Sequence, residues 1–479
     1  MRARLRWIAA LPLSAVLAGC MVGPDYRRPE VAAPAGFHSA PAIAARAAPV
    51  PAPADAWWTS FGDPVLSDLV ATALAQNLDI AQAVARVTQA RAGLRAADAA
   101  LLPSATVSAN AATGRQSLET PTGRIANAFP GFDRDGEQYD ANLNAGWEID
   151  LFGGRRREQE AARAAYEGAQ AGVAAARLSV AAATADTYVT IRGLQARLAV
   201  ARDQVATQRR LVDIVRLQYA KGVAAELQLR QAEGSLAQVE ASVPVLETGL
   251  EAGLNALAVL LGAQPGAFHA TLASAAPIPA APAIAAIGGP ADLIRRRPDL
   301  IVAERRLAAS NARIGVAIAE YFPKISLGGL IGTATTAAGG LFTGDALQAQ
   351  GVLGLRWRLF DFGRVDAEIR QARGANAEAL AAYRLSVLRA SEDVENALTG
   401  LAKREAQERT LAAGETALAR AQTASLAAYK GGVVSLIEVL DADSRLLATR
   451  DSRAQAKTEA ARAAIASYRA LGGGWQAGG

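Results

Sequence analysis

Four segments of the chain alternate between apolar and polar residues, which predicts β-strands. In the clearest of them Trp147 and Ile149 lie on one face, and Glu148 and Asp150 lie on the other. Alternation over about a dozen residues fits a membrane-spanning strand, and it also fits a soluble sheet with one buried face. The predicted strands are residues 104–111, 140–151, 325–331 and 353–359, with connecting loops at 114–136 and 333–345.

Long proline-free stretches follow each predicted strand pair and predict helices of unusual length. Residues 158–219 and 364–429 are such stretches, and about 60 residues of helix would extend roughly 90 Å. Each stretch ends at a glycine-bearing turn, which is the usual stop signal of a helix. The other predicted helices are residues 64–76, 80–101, 226–261 with a kink at Pro244, and 435–471.

The chain contains the same pattern twice, which indicates a duplicated half. The matching segments keep their order over more than a hundred residues, so each half should contain the same elements. The matches are Asn77 with Arg297 and Leu102-Pro103 with Phe322-Pro323 at a spacing of 220, and Trp147, Phe152, Gly153, Tyr219 and Gly222 with Trp357, Phe362, Gly363, Tyr429 and Gly432 at a spacing of 210.

This duplication predicts one pseudo-symmetric body rather than several unrelated domains. Each half should contain a helix, two strands, a long helix and a return helix. The predicted divisions are a signal peptide at 1–19, an N-terminal tether at 20–62, a first repeat at 63–262, a Pro/Ala-rich crossover at 263–290, a second repeat at 291–471 and a tail at 472–479.

The first residues of the chain predict export and lipid attachment. Three arginines precede a short apolar run, which is too short for a transmembrane helix and typical of a secretory signal. Leu17-Ala18-Gly19-Cys20 closes this run, and Cys20 is the only cysteine of the chain. The sequence matches a bacterial lipobox, which predicts that Cys20 is acylated. The alternative is an ordinary signal with an incidental cysteine.

Composition argues against several other classes of protein. Alanine supplies much of the 51% hydrophobic content, while aromatic residues make up 5%, which favours closely packed helices. Loss of the signal's three arginines would lower the formal charge from +5 to +2, so nothing favours nucleic acid as a partner. Two histidines and one cysteine predict no metal site, no cofactor and no catalytic constellation, and therefore no enzyme.

Three short motifs carry a resemblance to a known family. They are Met21-Val22-Gly23-Pro24-Asp25-Tyr26, Trp57-Trp58-Thr59-Ser60-Phe61-Gly62-Asp63-Pro64, and Arg296-Arg297-Pro298-Asp299-Leu300 with Tyr321-Phe322-Pro323. Together they resemble the signatures of TolC-like outer membrane factors of the NodT/OprM type, which are palmitoylated lipoproteins of Gram-negative bacteria. The resemblance covers essentially the whole chain.

The resemblance implies an α+β membrane protein that works as a homotrimer. Four strands per chain would be shared in one 12-stranded β-barrel, since four strands are too few to close a barrel alone. Long helices would form a periplasmic barrel. Such proteins are passive exit ducts of multidrug efflux pumps. Their partners are a periplasmic adaptor, a proton-driven inner-membrane transporter and outer-membrane lipid.

The resemblance also implies a periplasmic gate on the second return helix. The matching positions carry Glu438 and Asp441, which lie three residues apart on one helix face. Repeated around a threefold axis, these carboxylates would repel one another and attract cations. Tyr429 matches a tyrosine that tethers the closed state, although Val434 stands where a basic partner is expected. The alternative is two solvated carboxylates on a helix surface.

Two other functions stay open on the sequence. The same architecture could serve a system that secretes proteins or polysaccharides rather than small compounds. A protein of another class, a lipid-anchored periplasmic scaffold without a pore, would also contain a lipobox and long helices.

Overall fold

The structure is a computed structural model that describes residues 21–30, 36–39, 41, 56–283 and 296–473. Cys20 and the predicted signal segment lie outside these residues. The helices are α1 (Pro64–Gln76), α2 (Leu78–Ala99), α3 (Pro121–Ala126), α4 (Gly154–Ala220), α5 (Glu226–Leu260), α6 (Pro298–Ala319), α7 (Arg364–Lys430) and α8 (Leu436–Ala470). The strands are β1 (Ser104–Arg115), β2 (Asp135–Ile149), β3 (Lys324–Thr335) and β4 (Leu347–Arg356).

Corresponding helices of the two halves have equal lengths. The pairs α2 and α6, α4 and α7, and α5 and α8 contain 22, 67 and 35 residues each. A helix of 67 residues is about 100 Å long. The predicted long helices are therefore present, and the division of the chain into repeats at particular residues stays a prediction.

The described residues form two compact units, and the first contains the sheet. Unit 1 comprises the described parts of Met1–Pro29, Thr88–Gly168 and Glu304–Ala382. Its four strands form one antiparallel sheet in the order β1-β2-β3-β4, so β1 and β4 are edge strands. Apolar residues face one another across the sheet, as in the pairs Val107–Leu143 and Leu143–Ile331. The four predicted strands are thus confirmed as one sheet.

The predicted position of β4 was wrong at its end. The alternation continues to Leu359, but the strand ends at Arg356. Beyond it the Trp357 indole Nε1 donates to the Tyr321 carbonyl, and Phe362 and Gly363 adopt positive φ angles of 53° and 82°. The chain turns there into α7, so residues that continue the strand pattern belong to the strand–helix connection. The loop between β1 and β2 also contains the short helix α3, which the sequence pattern did not predict.

An aspartate carboxylate caps the N-terminal end of the long helix in each half. Asp150 accepts hydrogen bonds from the backbone N–H groups of Arg155 and Arg156, at 3.1 and 2.9 Å. Asp361 accepts from the N–H groups of Gly363 and Val365, at 3.1 and 2.8 Å. The first N–H groups of a helix have no partner within it, so these side chains satisfy donors that the helix itself leaves free.

The N-terminal signature segment is packed into unit 1. The Val22 N–H donates to the Phe152 carbonyl at 3.1 Å. The Arg157 side chain, 1% exposed, donates to the carbonyl oxygens of Val22 and Gly23, both at 3.0 Å, and to Asp25 at 2.7 Å. Gly23 has φ +91°, and a Cβ there would lie 2.5 Å from the Cα of Gly315. Packing against Gly315 therefore explains why the Gly-Pro-Asp-Tyr signature begins with glycine.

Unit 2 comprises the described parts of Glu30–Val87, Ala169–Ala303 and Tyr383–Gly479, and it contains the larger apolar core. Trp57 stacks on Tyr468 with ring centroids 5.3 Å apart. Asp63 caps α1, and its second oxygen accepts a bond from the Tyr188 hydroxyl at 2.7 Å. Burial raises the pKa of Tyr188 to about 12. The second sequence signature, residues 57–64, thus contributes Trp57 and Phe61 to this core.

Among the described helices, α5 alone is long and apolar enough to cross a membrane by length and composition. One such helix is weak evidence for a span, since a helix of a protein core passes the same test. Leu229, Leu246 and Leu254 of α5 are buried within unit 2. The helix continues through Pro244 from Glu226 to Leu260, and the kink predicted there stays a prediction.

Candidate functional site

The predicted gate residues lie in unit 2, near the turns that join α4 to α5 and α7 to α8. The two turns have the same geometry. Gly222 and Gly432 have φ angles of 75° and 74°, and each N–H donates to the carbonyl of the tyrosine three residues earlier, at 2.9 and 3.0 Å. A left-handed glycine after the last helical residues allows the chain to reverse without steric cost.

Tyr429 connects the second turn to the first long helix. Its hydroxyl donates to the Gln218 side-chain oxygen at 2.7 Å. The ring packs against a buried apolar cluster to which α4 contributes Val215 and α8 contributes Leu436. The sequence resemblance suggested a basic partner for this tyrosine. In this chain a neutral glutamine takes that place, while Val434 is half-buried.

Glu438 and Asp441 are exposed on α8, close to the turn. Asp441 forms an ion pair with Arg445 at 2.9 Å, and Glu438 accepts a weak bond from the Ser435 hydroxyl at 3.4 Å. The two carboxylates are therefore open to solvent in a single chain. Arg445 reduces the local negative charge that the sequence alone predicted at Asp441.

A third acidic residue of α8, Asp443, was missed by the sequence reasoning. It is only 4% exposed, and its Oδ2 accepts bonds from the side-chain amides of Gln204 and Gln208 on α4, at 2.5 and 2.8 Å. Burial raises the pKa of Asp443 above its ordinary value, although both amides and the Arg450 guanidinium favour the carboxylate. A signal for this position did exist in the sequence. Leu436, Val439, Asp443 and Leu446 follow the three-and-four spacing of an apolar seam.

Two arginine–aspartate pairs join the same two helices. Arg197 of α4 binds both oxygens of Asp451 of α8, at 2.7 and 3.0 Å. Arg462 of α8 binds both oxygens of Asp186 of α4, at 2.8 and 3.0 Å. Bidentate pairs of this kind fix orientation as well as distance. Together with Asp443, they hold the second return helix to the first long helix at three levels.

A cavity of about 460 Å³ lies beside this contact, among α4, α5 and α8. Its walls are mixed, with apolar Leu440 and Val239 and polar Ser242 and Gln208. The Gln208 side-chain oxygen is buried and has no hydrogen-bond partner among the described residues. The contact between α4 and α8 thus contains one buried acceptor, on Gln208, whose hydrogen bonding is incomplete among the described residues.

The part of the chain that the structure describes contains no candidate metal site. Within those residues, no group of three histidine, cysteine, aspartate or glutamate side chains could hold a metal ion. Cys20, the predicted lipid attachment site, lies outside the described residues.

Comparison with known proteins gives consistent matches along the whole chain. The sequence profile of the family described as "Outer membrane efflux protein" matches residues 69–263 and 289–473. Nodulation protein T of Rhizobium leguminosarum bv. trifolii is 32% identical over 480 residues, covering 96% of both chains. The pyoverdine export outer membrane protein OpmQ of Pseudomonas putida is 32% identical and covers 98% of both. The solved structure of the outer-membrane channel OprN superposes with a TM-score of 0.86 at 35% identity, over 95% of this chain and 100% of that one.

Proposed function

The chain belongs to the outer membrane efflux protein family, and we propose that it is a passive duct through which small toxic compounds leave the periplasm. It is the outer-membrane component of a tripartite efflux pump in a Gram-negative cell. It acts as a homotrimer together with a periplasmic adaptor and an inner-membrane transporter. Its fold combines four strands of a shared barrel with long periplasmic helices.

The observation that carries this function is the open sheet of unit 1. Four strands end in two free edges, β1 and β4, and the apolar side chains of Val107, Leu353 and Leu355 are 79%, 75% and 69% exposed. An exposed apolar sheet with free edges is unstable in water, and four strands are too few to close a barrel. Pooling the strands of three copies removes both edges and turns the apolar face toward lipid.

Transport through such a duct does not require the protein to make or break a covalent bond. The family consists of transport channels, and we propose that this chain catalyses no reaction. The energy for export comes from the inner-membrane transporter. Polar side chains of Asp, Asn, Ser and Arg would line the duct and select little, so choice of cargo belongs to the transporter.

We propose that Tyr429, Glu438 and Asp441 belong to the periplasmic gate. Glu438 and Asp441 are exposed near the α7–α8 turn, where a threefold axis would bring six carboxylates toward one narrow opening. Tyr429 holds this turn to α4 through Gln218. Opening would splay the α7–α8 hairpin away from α4, with the adaptor favouring the open arrangement through contacts that only this arrangement offers.

We also propose that Cys20 carries the lipid anchor. Its neighbour Met21 lies against Gly153, just before α4. A Cβ added at position 153 would lie 2.7 Å from the Met21 Cα. This contact places the residue after Cys20 next to the strand–helix connection that follows β2. The acyl chains would therefore start close to the periplasmic surface of the membrane.

Conductance in a planar lipid bilayer tests both the pore and the acidic gate. We expect the purified protein to form small, cation-selective channels. Asp441→Ala and Glu438→Ala should each lower cation selectivity, because each removes three like charges from the narrowest region. Arg445→Ala is the matched control. It frees the Asp441 carboxylate from its ion partner and should increase cation selectivity instead.

Other outcomes would separate the alternatives. Channels that are indifferent to all three substitutions would keep the duct and remove the gate assignment. Failure to insert would favour the lipid-anchored scaffold, and Cys20→Ala distinguishes that case further. A scaffold would leave the membrane once its acyl group is lost, whereas a barrel would stay embedded.

A further inference from the structure

The two halves of the chain make the same hydrogen bond where strand meets helix. The Trp147 indole Nε1 donates to the Leu101 carbonyl at 2.9 Å, and the Trp357 indole Nε1 donates to the Tyr321 carbonyl at 3.0 Å. The two bonds support the correspondence between the halves that the sequence predicts. Leu102 in the first half corresponds to Phe322 in the second, and Phe152 corresponds to Phe362.

Inside the chain, the halves meet at the β2–β3 pair. The register places Trp147 opposite Leu327 and Ile149 opposite Ile325. At the end of this pair the ring of Phe152 stacks on the ring of Phe322, with centroids 4.5 Å apart and planes 19° apart. An aromatic contact thus closes the junction where the second strand of one half meets the first strand of the other.

The corresponding residues at the outer edges of the sheet are exposed. Phe362, which follows β4, is fully exposed at 103%, and Leu102, which precedes β1, is 65% exposed. Phe362 also has φ +53°, and it is the only described residue other than glycine with a positive φ. Such a conformation is strained for a phenylalanine and is found where a functional constraint maintains it.

We infer that Phe362 packs against the partner subunit's Leu102 and thereby locks neighbouring copies together. This inference rests on the homotrimer of the proposed function. In a closed barrel the edge strand β4 must pair with β1 of the next copy, since these are the two free edges among the described strands. The repeat makes this junction the equivalent of the β2–β3 junction, in which Phe152 covers Phe322.

The same correspondence predicts the register between copies. Trp357 would lie opposite the partner's Val107, and Leu355 would lie opposite the partner's Ala109. All four residues belong to the apolar side of the alternating sequence pattern, which continues past the end of β4 to Trp357. A slip of one residue would set apolar side chains against polar ones, so the apolar pattern supports this register independently.

Cysteine cross-linking tests the contact directly. Oxidation or a short bifunctional thiol reagent should join Leu102→Cys/Phe362→Cys chains into covalent trimers on non-reducing gels. Each single variant should stay monomeric on the gel, which also controls for the thiol of Cys20. Leu102→Cys/Phe342→Cys is the matched control, because Phe342 is 90% exposed but lies in the loop at the opposite end of β4.

Mixed assembly shows whether the link joins two chains. When Leu102→Cys chains and differently tagged Phe362→Cys chains are expressed together, covalent dimers should contain one chain of each kind. The pair Ala109→Cys/Leu355→Cys tests the register by disulfide formation, since residues directly opposite in antiparallel strands have Cα atoms within bonding range. If the Leu102→Cys/Phe362→Cys chains do not assemble, the Ala109→Cys/Leu355→Cys pair tests the inference in their place.

Light scattering in detergent separates the inference from the function. Trimers without a cross-link at either pair, or with a cross-link at the Phe342 control pair, would overturn the inference and leave the duct intact. A native protein that is not a trimer would overturn the proposed function itself. We also expect Phe362→Ala to lower the temperature at which trimers dissociate, while Phe342→Ala leaves it unchanged.

Discussion

Replacing Asp443 by leucine should make the closed channel leak. Asp443 accepts bonds from Gln204 and Gln208 where α8 packs on α4, and it is almost fully buried. Leucine would leave both amide groups buried without an acceptor, which costs about 1–3 kcal/mol for each group. Separation of α8 from α4 would expose them to water and relieve this cost, so the substitution favours the splayed arrangement.

The expected size of this effect is large. A loss of about 2 kcal/mol in one copy changes the ratio of closed to open arrangements roughly 30-fold, and three copies meet at one gate. Open-channel time in a planar bilayer should therefore rise by at least tenfold. Cells that carry this variant should also become more sensitive to large antibiotics, which enter through the leak.

Asp443→Asn is the matched control for this prediction. Its side-chain oxygen keeps the bonds from both glutamines, and its amide could donate to the buried Gln208 oxygen, which has no partner among the described residues. We expect this variant to stay closed. A leak as large as that of the leucine variant would mean that the charge of Asp443, rather than its hydrogen bonds, keeps the gate shut.

The raised pKa of Asp443 predicts the pH dependence of its contribution to stability. Burial disfavours the carboxylate in the folded state, so the stabilising contribution of Asp443 is complete below the ordinary aspartate pKa of about 3.9. It is lost as the pH rises through the higher folded-state pKa. Asp443→Asn should therefore raise the melting temperature at neutral pH, and this advantage should disappear at acidic pH.

Replacing Arg157 by alanine should release the N-terminal segment. The Arg157 guanidinium donates to two backbone carbonyls of this segment and to Asp25 and Glu160. Asp25 is 80% exposed, so its ion pair contributes little, and the bonds to the carbonyls carry most of the effect. Loss of these bonds should weaken docking by about 2–3 kcal/mol.

Limited proteolysis measures this release. Trypsin cleaves after Arg27, which is exposed but follows the docked residues, whereas Pro29 protects the bond after Arg28. Cleavage of a bound segment requires local opening, so Arg157→Ala should speed it at least tenfold. Arg155→Ala is the control, because Arg155 pairs with Glu148 and Glu158 and should leave cleavage unchanged.

A substitution within the N-terminal segment itself should also weaken its docking. Gly23→Ala adds a Cβ at φ +91° within 2.5 Å of the Gly315 backbone and should also speed cleavage. If Arg157→Ala and Gly23→Ala both resist trypsin as well as the native chain does, the observed packing does not hold the segment.

Helices were the most predictable part of this protein. The predicted start of α1 at Pro64 and the turns after α4 and α7 agree with the structure within about a residue, because proline and glycine act through local backbone sterics. The end of β4 was less predictable. Alternation reports which side chains face lipid or core, and it does not report where backbone pairing stops, so Trp357 and Leu359 were assigned to a strand that ends before them.

The candidate gate was predictable only in part. Family resemblance placed Glu438 and Asp441 near the turn, and the structure has both exposed there. The resemblance did not indicate Asp443, although the spacing of Leu436, Val439, Asp443 and Leu446 places this aspartate on the apolar seam of α8. The Gln218 partner of Tyr429 was also hidden, since 211 residues separate the two along the chain.

The sequence by itself determined the duplicated plan, the four strands, the long helices and the membership in a family of exit channels. These features follow from local periodicity, from turn residues and from motifs, all of which can be read from neighbouring positions. Only the tertiary structure decided which carboxylate is buried between α4 and α8, how Arg157 holds the N-terminal segment, and why Phe362 stands exposed beside an open strand edge. Each of these depends on contacts between residues far apart in the chain, where burial and hydrogen bonding are properties of the packed elements and not of any local pattern.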